Sequence, residues 1–542
     1  MPHRYWADEL AARVSGPQVV NDSKTPSGTV HVGSLRGPVI HDAIARALRD
    51  RGIPVQFRYG VEDLDAMDAQ ALLTPDAVER YMGVPLSRVP APEGSDAPNY
   101  ARHFVGTLFF PTFARLGIRP EFYWLSEIYP TGAMDPYIRT ALDRAQLIRD
   151  LYVRVSNVER PAGWLPVQVI CEACGCVGTT LADDWDGSTV HYRCLPDYVT
   201  WARGCGHEGR IAPFGGAAKM PFNVEWAAKW SLMGVTIEGC GKDLGTKGGS
   251  RDRSEAVARE VFDREPPINV QYEFLNVGGK KMSTSKGRGA AAHAIAEAVP
   301  PDVLRFLFLR PRPNQAIDFD PEGTDAVPRL LDEYDRIAAA TSGATVRGEL
   351  PADYERLHLY SQVADEGAEV AKRRAGEWRP AFGQLALLLQ LPGVDAAARA
   401  AAEKGSPLGA DERRELDERI AAARRWLEAY APDEAKVAVR DELPLEQVAA
   451  LAPAERAWLA ALADAADAAT AGSLETGEAW QALIFSCAKS GEIAPGRAFA
   501  ALYAALLGRA NGPRAGWLLA ALDRAVVVAR LRAAAAVGEA VA

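Results

Sequence analysis

The sequence predicts an α/β protein: a parallel nucleotide-binding sheet domain split by an insertion with a zinc-binding module, followed by an all-α C-terminal half. Three observations carry this expectation. A strand, a glycine-bearing turn and a helix open the chain; five of the seven cysteines fall between Cys171 and Cys205; and from about Pro300 the composition shifts to Ala, Leu and Arg at helical spacing. With 542 residues, 48% of them hydrophobic, the chain is long enough for several domains, each with its own core. A net charge of −10 excludes a wholesale basic coat, so any nucleic-acid contact has to come from local Lys/Arg patches. No run approaches the roughly 20 apolar residues of a membrane span, and the first ten residues lack an apolar signal core. A soluble, cytoplasmic protein with neither membrane nor DNA as partner is expected.

Val19-Val20 lead into the glycine turn, after which Leu35, Val39, Ile40, Ile44, Ala47 and Leu48 recur at helical spacing until Gly52 stops the run. Val55, Phe57 and Tyr59 then alternate as a strand, and strand–turn–helix–strand is the opening of a parallel sheet whose ligands sit beyond the carboxyl ends of its strands. Helices are expected around 99–116 and 133–154, short alternating strands within 160–215, a helix near Val224–Met233, and strands returning to the first sheet at Val235–Ile237 and Val270–Leu275. Helical spacing then dominates, as in Leu385–Leu391, Arg413–Tyr430 and Leu518–Arg532, with Lys372-Arg-Arg374 and Arg424-Arg425 as local basic patches. The expected divisions are 1–98 and 216–300 for the two halves of the sheet domain, 99–160 for a mostly helical insertion and 161–215 for the cysteine module. A connecting helical segment covers 301–345, and 346–542 is all-α.

Two motifs point to ATP. The run Pro26-Ser27-Gly28-Thr29-Val30-His31-Val32-Gly33-Ser34 opens a helix whose N-terminal N–H groups and positive dipole end suit phosphate oxygens. His31 would add a hydrogen bond, and the glycines would let backbone come close to the nucleotide. Far downstream, Lys281 and Lys286 flank Met282-Ser283-Thr284-Ser285 after Gly278-Gly279, supplying cations and hydroxyls to a leaving pyrophosphate. Taken alone, the first motif also fits an ordinary strand-to-helix turn; the pair in this order does not.

Cys171-Glu-Ala-Cys174 has the two-residue spacing of a chelating turn, and Cys194 and Cys205 complete a four-thiolate set for structural zinc, with His207 as a substitute fourth ligand and Cys176 close by. Zinc would fold a segment too short and polar to bury a core of its own. Cys240 and Cys487 stand alone as packing residues.

These motifs resemble those of the class I lysyl-tRNA synthetases over nearly the whole chain. The resemblance is carried by Asp22–Gly37, Tyr59-Gly-Val-Glu-Asp-Leu-Asp65, Cys205-Gly-His-Glu-Gly209, Val224-Glu-Trp-Ala-Ala-Lys-Trp230, Gly241-Lys-Asp243, Gly248-Gly-Ser250 and Lys281–Gly287. It implies a Rossmann-type catalytic domain, a zinc-bearing insertion, an anticodon-binding helical region, and ATP with Mg²⁺, lysine and tRNA(Lys) as ligands. It also implies catalytic roles for His31, Lys281 and Lys286. The chain departs from the family's usual pattern at Leu244, Phe222 and Thr284. A lysine side chain requires a carboxylate near its ammonium, since a desolvated cation without a partner is costly. Asp63 and Asp65, just after an alternating strand, lead the candidates, followed by Glu225 and Asp243, with Trp226 against the aliphatic stem and Trp230 as core. Two alternatives stand beside this one: a tRNA-independent amino-acid adenylating ligase using the same site, and a non-catalytic RNA-binding paralogue, against which the intact His31 and Lys281 signatures argue.

Overall fold

The computed structural model describes residues 5–27, 32–68, 73–277, 280–281, 295, 298–391, 394–440 and 442–537. Two compact units make up the chain. The first comprises Met1–Ala296, Pro301–Phe319 and Arg347–Lys372, and the second Glu297–Pro300, Asp320–Val346 and Arg373–Ala542.

The first unit is built on a parallel sheet. Strand β1 (Gln18–Lys24) pairs along its whole length with β2 (Val55–Val61), which pairs on its other side with β3 (Glu121–Trp124), while Ile237–Glu238 pairs with the opposite edge of β1. The two-residue period of β1 sends Asn21 to one face, where it donates to Glu238 Oε1 at 2.7 Å and accepts from the Tyr123 hydroxyl at 3.2 Å. Asp22 and Lys24 share the other face. Helix α1 (Trp6–Ala11) precedes β1, and after the 3₁₀ turn Val32–Leu35 comes helix α2 (Arg36–Asp50), with Pro38 in its first turn, where a backbone N–H has no helical partner. It buries Leu35, Val39, Ile40, Ile44, Ala47 and Leu48, the expected stripe, and stops at Gly52, whose φ of +70° suits glycine.

The returning strands divide differently from the expectation. Only Ile237–Glu238 joins the main sheet; Gln271–Tyr272 pairs with Cys240–Gly241, and Leu275–Val277 pairs with Ile317–Asp318 and Lys280–Lys281. The interruption falls at Gly239, whose N–H donates to His41 Nε2 at 2.8 Å rather than to a neighbouring strand.

The cysteine module has a three-stranded antiparallel ribbon, Thr180–Trp185, Val190–Cys194 and Glu208–Ile211. It shares its core with the neighbouring helices. Trp164, Val169, Ala182, Val190 and Tyr192 are buried in one core with Tyr129, Ile138, Ile148, Trp226 and Trp230 from the flanking helices. Residues Arg347–Lys372 belong to the first unit because buried arginines hold them there: Arg305 donates to Tyr360 O at 2.8 Å, and Arg46 to Gln362 O at 2.6 Å.

The second unit is helical among the described residues. Ala410–Ala429 places Arg419 fully inside, held by Asp335 and by Glu415 at 2.6 Å. Pro453–Ala468, Gly477–Ser490, Pro495–Leu507, Ala515–Ala521 and Arg524–Ala536 close over Trp458, Leu459, Trp480, Ile484, Leu502, Leu518 and Leu531. The helix expected at Leu518–Arg532 is two: Asp523 accepts from Ala525 N at 2.7 Å and caps a new start.

Candidate active site and cysteine centre

Beyond the carboxyl end of β1 lies a cavity of about 230 Å³, where an open parallel sheet places its ligands. Gly33 and Ser34 form one wall, Phe274 and Leu275 another. The Val32–Leu35 turn packs on the Leu275–Val277 strand, which pairs antiparallel with Lys280–Lys281, Asn276 standing opposite Lys281. Arg36, the first residue of α2, fastens this arrangement. Its guanidinium is buried and donates to the carbonyls of Glu273 at 2.6 Å, Gln315 at 2.7 Å and Pro313 at 3.2 Å. Burial lowers its pKa to about 10, which leaves it charged at neutral pH. Of the expected nucleotide-binding residues, Pro26 and Ser27 follow β1 directly, the Ser27 N–H donating to Thr25 O at 2.8 Å. Gly28, Thr29, His31, Met282, Ser283, Thr284, Ser285 and Lys286 lie outside the described residues.

Of the expected lysine-binding residues, Asp243 lines the cavity; Asp63, Asp65, Glu225 and Trp226 are not among its lining residues. Their carboxylates have internal partners. Asp63 accepts from the Ser126 N–H at 2.9 Å and from its hydroxyl, and burial raises its pKa to about 6. Asp65 pairs with Lys219 and accepts from Thr25 Oγ1 at 2.6 Å. Glu225 lies 3.3 Å from the same lysine and accepts from the Tyr129 hydroxyl. A neighbouring pair, Glu62 and Lys229, completes a buried ionic layer. Trp226 is sandwiched between Phe222 at 5.2 Å and Trp230 at 5.3 Å.

Asp22, Lys24, Tyr59 and Tyr272, none of them among the expected site residues, also line the cavity with polar atoms. A signal existed, since Asp22 and Lys24 alternate at the carboxyl end of the first strand. Among the described residues, neither tyrosine hydroxyl has a hydrogen-bond partner. Behind Asp22, His41 Nδ1 lies 3.4 Å from Oδ2 and 2.8 Å from Gly37 O. Burial draws the imidazole pKa down while Asp22 and Gly37 O draw it up further. The Gly239 N–H donated into Nε2 decides for a neutral ring with its proton on Nδ1.

In the ribbon, the thiol sulfurs of Cys171, Cys174, Cys194 and Cys205 all lie within 4.8 Å of one another. Two pairs, Cys171 with Cys205 and Cys174 with Cys194, are 3.7 Å apart. A tetrahedral site with Zn–S bonds of about 2.3 Å has sulfur–sulfur edges of about 3.8 Å, so the four residues fit a zinc ion, and four protein ligands leave no open position. The alternatives fall elsewhere: Cys176 Sγ donates to Met82 O at 3.5 Å, and the His207 ring packs on Tyr192 at 5.8 Å.

Residues 4–363 match the family described as tRNA synthetases class I (K), and residues 429–535 match an anticodon binding domain. A lysine–tRNA ligase of Methanosarcina barkeri strain Fusaro is 32% identical over 554 residues, covering 98% of this chain and 97% of that protein. The lysine–tRNA ligase of Archaeoglobus fulgidus is 31% identical over 542 residues, covering 98% of this chain and 100% of that protein. That of Thermoplasma acidophilum is 31% identical, covering 97% of this chain and 98% of that protein.

Proposed function

We propose, for a chain that belongs to the family of class I tRNA synthetases (K), that it is a cytoplasmic lysine–tRNA ligase, activating lysine with ATP and transferring it to tRNA(Lys). The observation that carries this reading is the cavity lined by Gly33 and Ser34 from the start of the helix and by Phe274 and Leu275 from the returning strand. It sets the described end of the first ATP motif beside the segment that leads into the second.

The triphosphate lies across the start of α2, where unpaired N–H groups and the dipole favour anions. The lysine carboxylate attacks the α-phosphorus in line, forming lysyl-adenylate and displacing pyrophosphate. Mg²⁺ bound with ATP supplies neutralising charge on the phosphates. Lys281 and Lys286 stabilise the charge that develops on the leaving group, and His31 donates to the phosphates. Arg36 is a positioning residue: through the carbonyls of Glu273, Pro313 and Gln315 it holds the segments leading into the paired Leu275–Val277 and Ile317–Asp318 strands against the start of α2. The terminal adenosine of tRNA(Lys) then attacks the adenylate carbonyl, and AMP leaves. Most of the rate gain comes from holding the reacting groups together. Zinc held by Cys171, Cys174, Cys194 and Cys205 would tie the ribbon together without taking part in the chemistry.

The test is ATP–pyrophosphate exchange and tRNA charging across a panel of amino acids, each with a tRNA(Lys) transcript present. Lysine-dependent exchange and charging are expected. Exchange with a different amino acid, or exchange without charging, overturns the reading. Lys281→Ala should slow adenylate formation by about 100-fold or more, the scale of losing several kcal/mol of transition-state stabilisation.

A further inference from the structure

We infer that Asp22, rather than any of the carboxylates that follow β2, is the residue that selects the amino acid by binding the ammonium at the far end of its side chain. The inference deepens the lysine reading and rests on it.

Asp22 is 7% exposed and lines the cavity. Its Oδ1 accepts from the Ser23 N–H at 2.9 Å, but Oδ2 is buried and has no hydrogen-bond partner among the described residues. The neutral His41 ring, 3.4 Å away, gives its proton to Gly37 O and brings no charge. A buried carboxylate oxygen left without a donor is costly, and the cavity beside it is where a ligand can supply one.

The described cations near the cavity are already engaged. Lys24 shares the β1 face with Asp22; burial lowers its pKa while Asp22 and Asp243 pull the other way. Glu273 is matched by Lys242 at 2.8 Å, and Arg36 is spent on backbone carbonyls. Asp22 and Asp243 both draw on the Lys24 ammonium.

The geometry also says which end of the substrate reaches Asp22. The reacting carboxylate has to meet the α-phosphorus at the Gly33–Ser34 wall. Asp22 Oδ2 lies instead against α2, beside Gly37 and His41. A Cβ placed on Gly37 would stand 3.0 Å from Asp22 Oδ2 and 2.6 Å from the Tyr272 hydroxyl, so the missing side chain at residue 37 leaves the space between carboxylate and phenol open. Asp22 with the hydroxyls of Tyr272 and Tyr59 can surround an ammonium with acceptors, and Leu244 offers an apolar wall to the methylenes before it. A primary amine on a straight aliphatic stem fits this set; a neutral side chain would bury Asp22 unpaired.

The experiment uses the full chain with ATP and a tRNA(Lys) transcript, and measures exchange with lysine, ornithine, arginine and norleucine, the last being lysine without its terminal amine. For Asp22→Asn the KM for lysine should rise by about 100-fold, the loss that follows removal of one partner of a buried charge pair. The preference for lysine over norleucine should collapse, with the KM for ATP within about twofold. Asp22→Glu, which carries the carboxylate one methylene further into the cavity, should move preference from lysine towards ornithine. A lysine KM within about threefold of the parent in Asp22→Asn overturns the inference. So does an equal loss for lysine and norleucine, which would place Asp22 on the α-ammonium. Should thermal unfolding show that Asp22→Asn does not fold, the lysine-to-ornithine ratio of Asp22→Glu decides alone, an unchanged ratio overturning the inference. A parent enzyme that prefers ornithine or arginine overturns the lysine reading, while loss of that preference in Asp22→Asn upholds Asp22. A parent that prefers norleucine overturns both.

Discussion

Glu62 and Lys229 are 3% and 1% exposed at their side chains, form an ion pair, and sit in the layer that also holds Asp65, Lys219 and Glu225. Glu62 Oε2 has no hydrogen bond among the described residues, so Lys229 is what makes the buried carboxylate tolerable. Removing one partner of such a pair leaves an uncompensated charge, whereas removing both removes the charge as well. Lys229→Met should therefore lower the stability of the first unit by about 3–5 kcal/mol, measured by denaturant unfolding. The double variant Glu62→Leu with Lys229→Met should recover most of that loss. Equal destabilisation by the single and double variants would show that the pair contributes through packing alone. The same layer explains why the carboxylates after β2 looked like ligands in sequence: a buried acid beside a strand end reads alike whether a substrate or an internal lysine answers it.

Within the ribbon, His191 joins all three strands, with Nδ1 at 2.5 Å from Asp183 and Nε2 at 2.9 Å from Glu208. The hydrogen bond to Asp183 raises its pKa against the pull of desolvation, with Glu208 adding to the effect. A histidine whose folded pKa lies above its unfolded value of about 6.5 stabilises the fold fully below that pH and loses the contribution as pH rises through the folded pKa. His191→Gln should thus destabilise the protein by roughly 0.5–1 kcal/mol at pH 6, since solvent screens these partly exposed pairs, and by little at pH 8.5. A difference that does not change between those pH values would remove the imidazolium from the account. At this scale the sequence was most readable where a local rule applied: the α2 stripe, its stop at Gly52, and the Cys171–Cys174 turn all follow from spacing. It was least readable where distant segments decide. Nothing near Asp22 announces that Tyr272 will stand across the cavity, or that His41 will take the Gly239 N–H and split the returning strands. The split of the expected Leu518–Arg532 helix was readable in hindsight, since Asp523 is a capping residue within an apolar pattern.

A chain with net charge −10 that binds a polyanion has to concentrate its favourable contacts, and the anticodon-binding match at residues 429–535 contains a place to do so. There Gln481, Phe499, Tyr503, Arg514 and Trp517 line a cavity of about 330 Å³, the Arg514 guanidinium lies 5.3 Å over the Trp517 ring, and Phe485, 47% exposed, stands edge-on to Phe499 at 5.7 Å. Unstacked bases of single-stranded RNA are held by such aromatic faces and guanidinium planes, with stacking contributing about 1–3 kcal/mol per base. Arg514 is exposed and Phe485 half-exposed, so replacing either with Ala should leave the fold unchanged and move only steps that involve the anticodon. The expected outcome for each is a rise of about 5- to 100-fold in the KM for tRNA(Lys) in charging. The KM values for ATP and lysine at saturating tRNA should hold. For Arg514→Ala alone, the dependence of tRNA affinity on salt should also flatten by about one unit of log–log slope, because one phosphate-directed cation is gone. Unchanged charging in both variants would move anticodon contact to another face of the helical unit. A rise in the ATP KM would instead mean that the second unit acts on the chemistry itself, not only on the tRNA it holds.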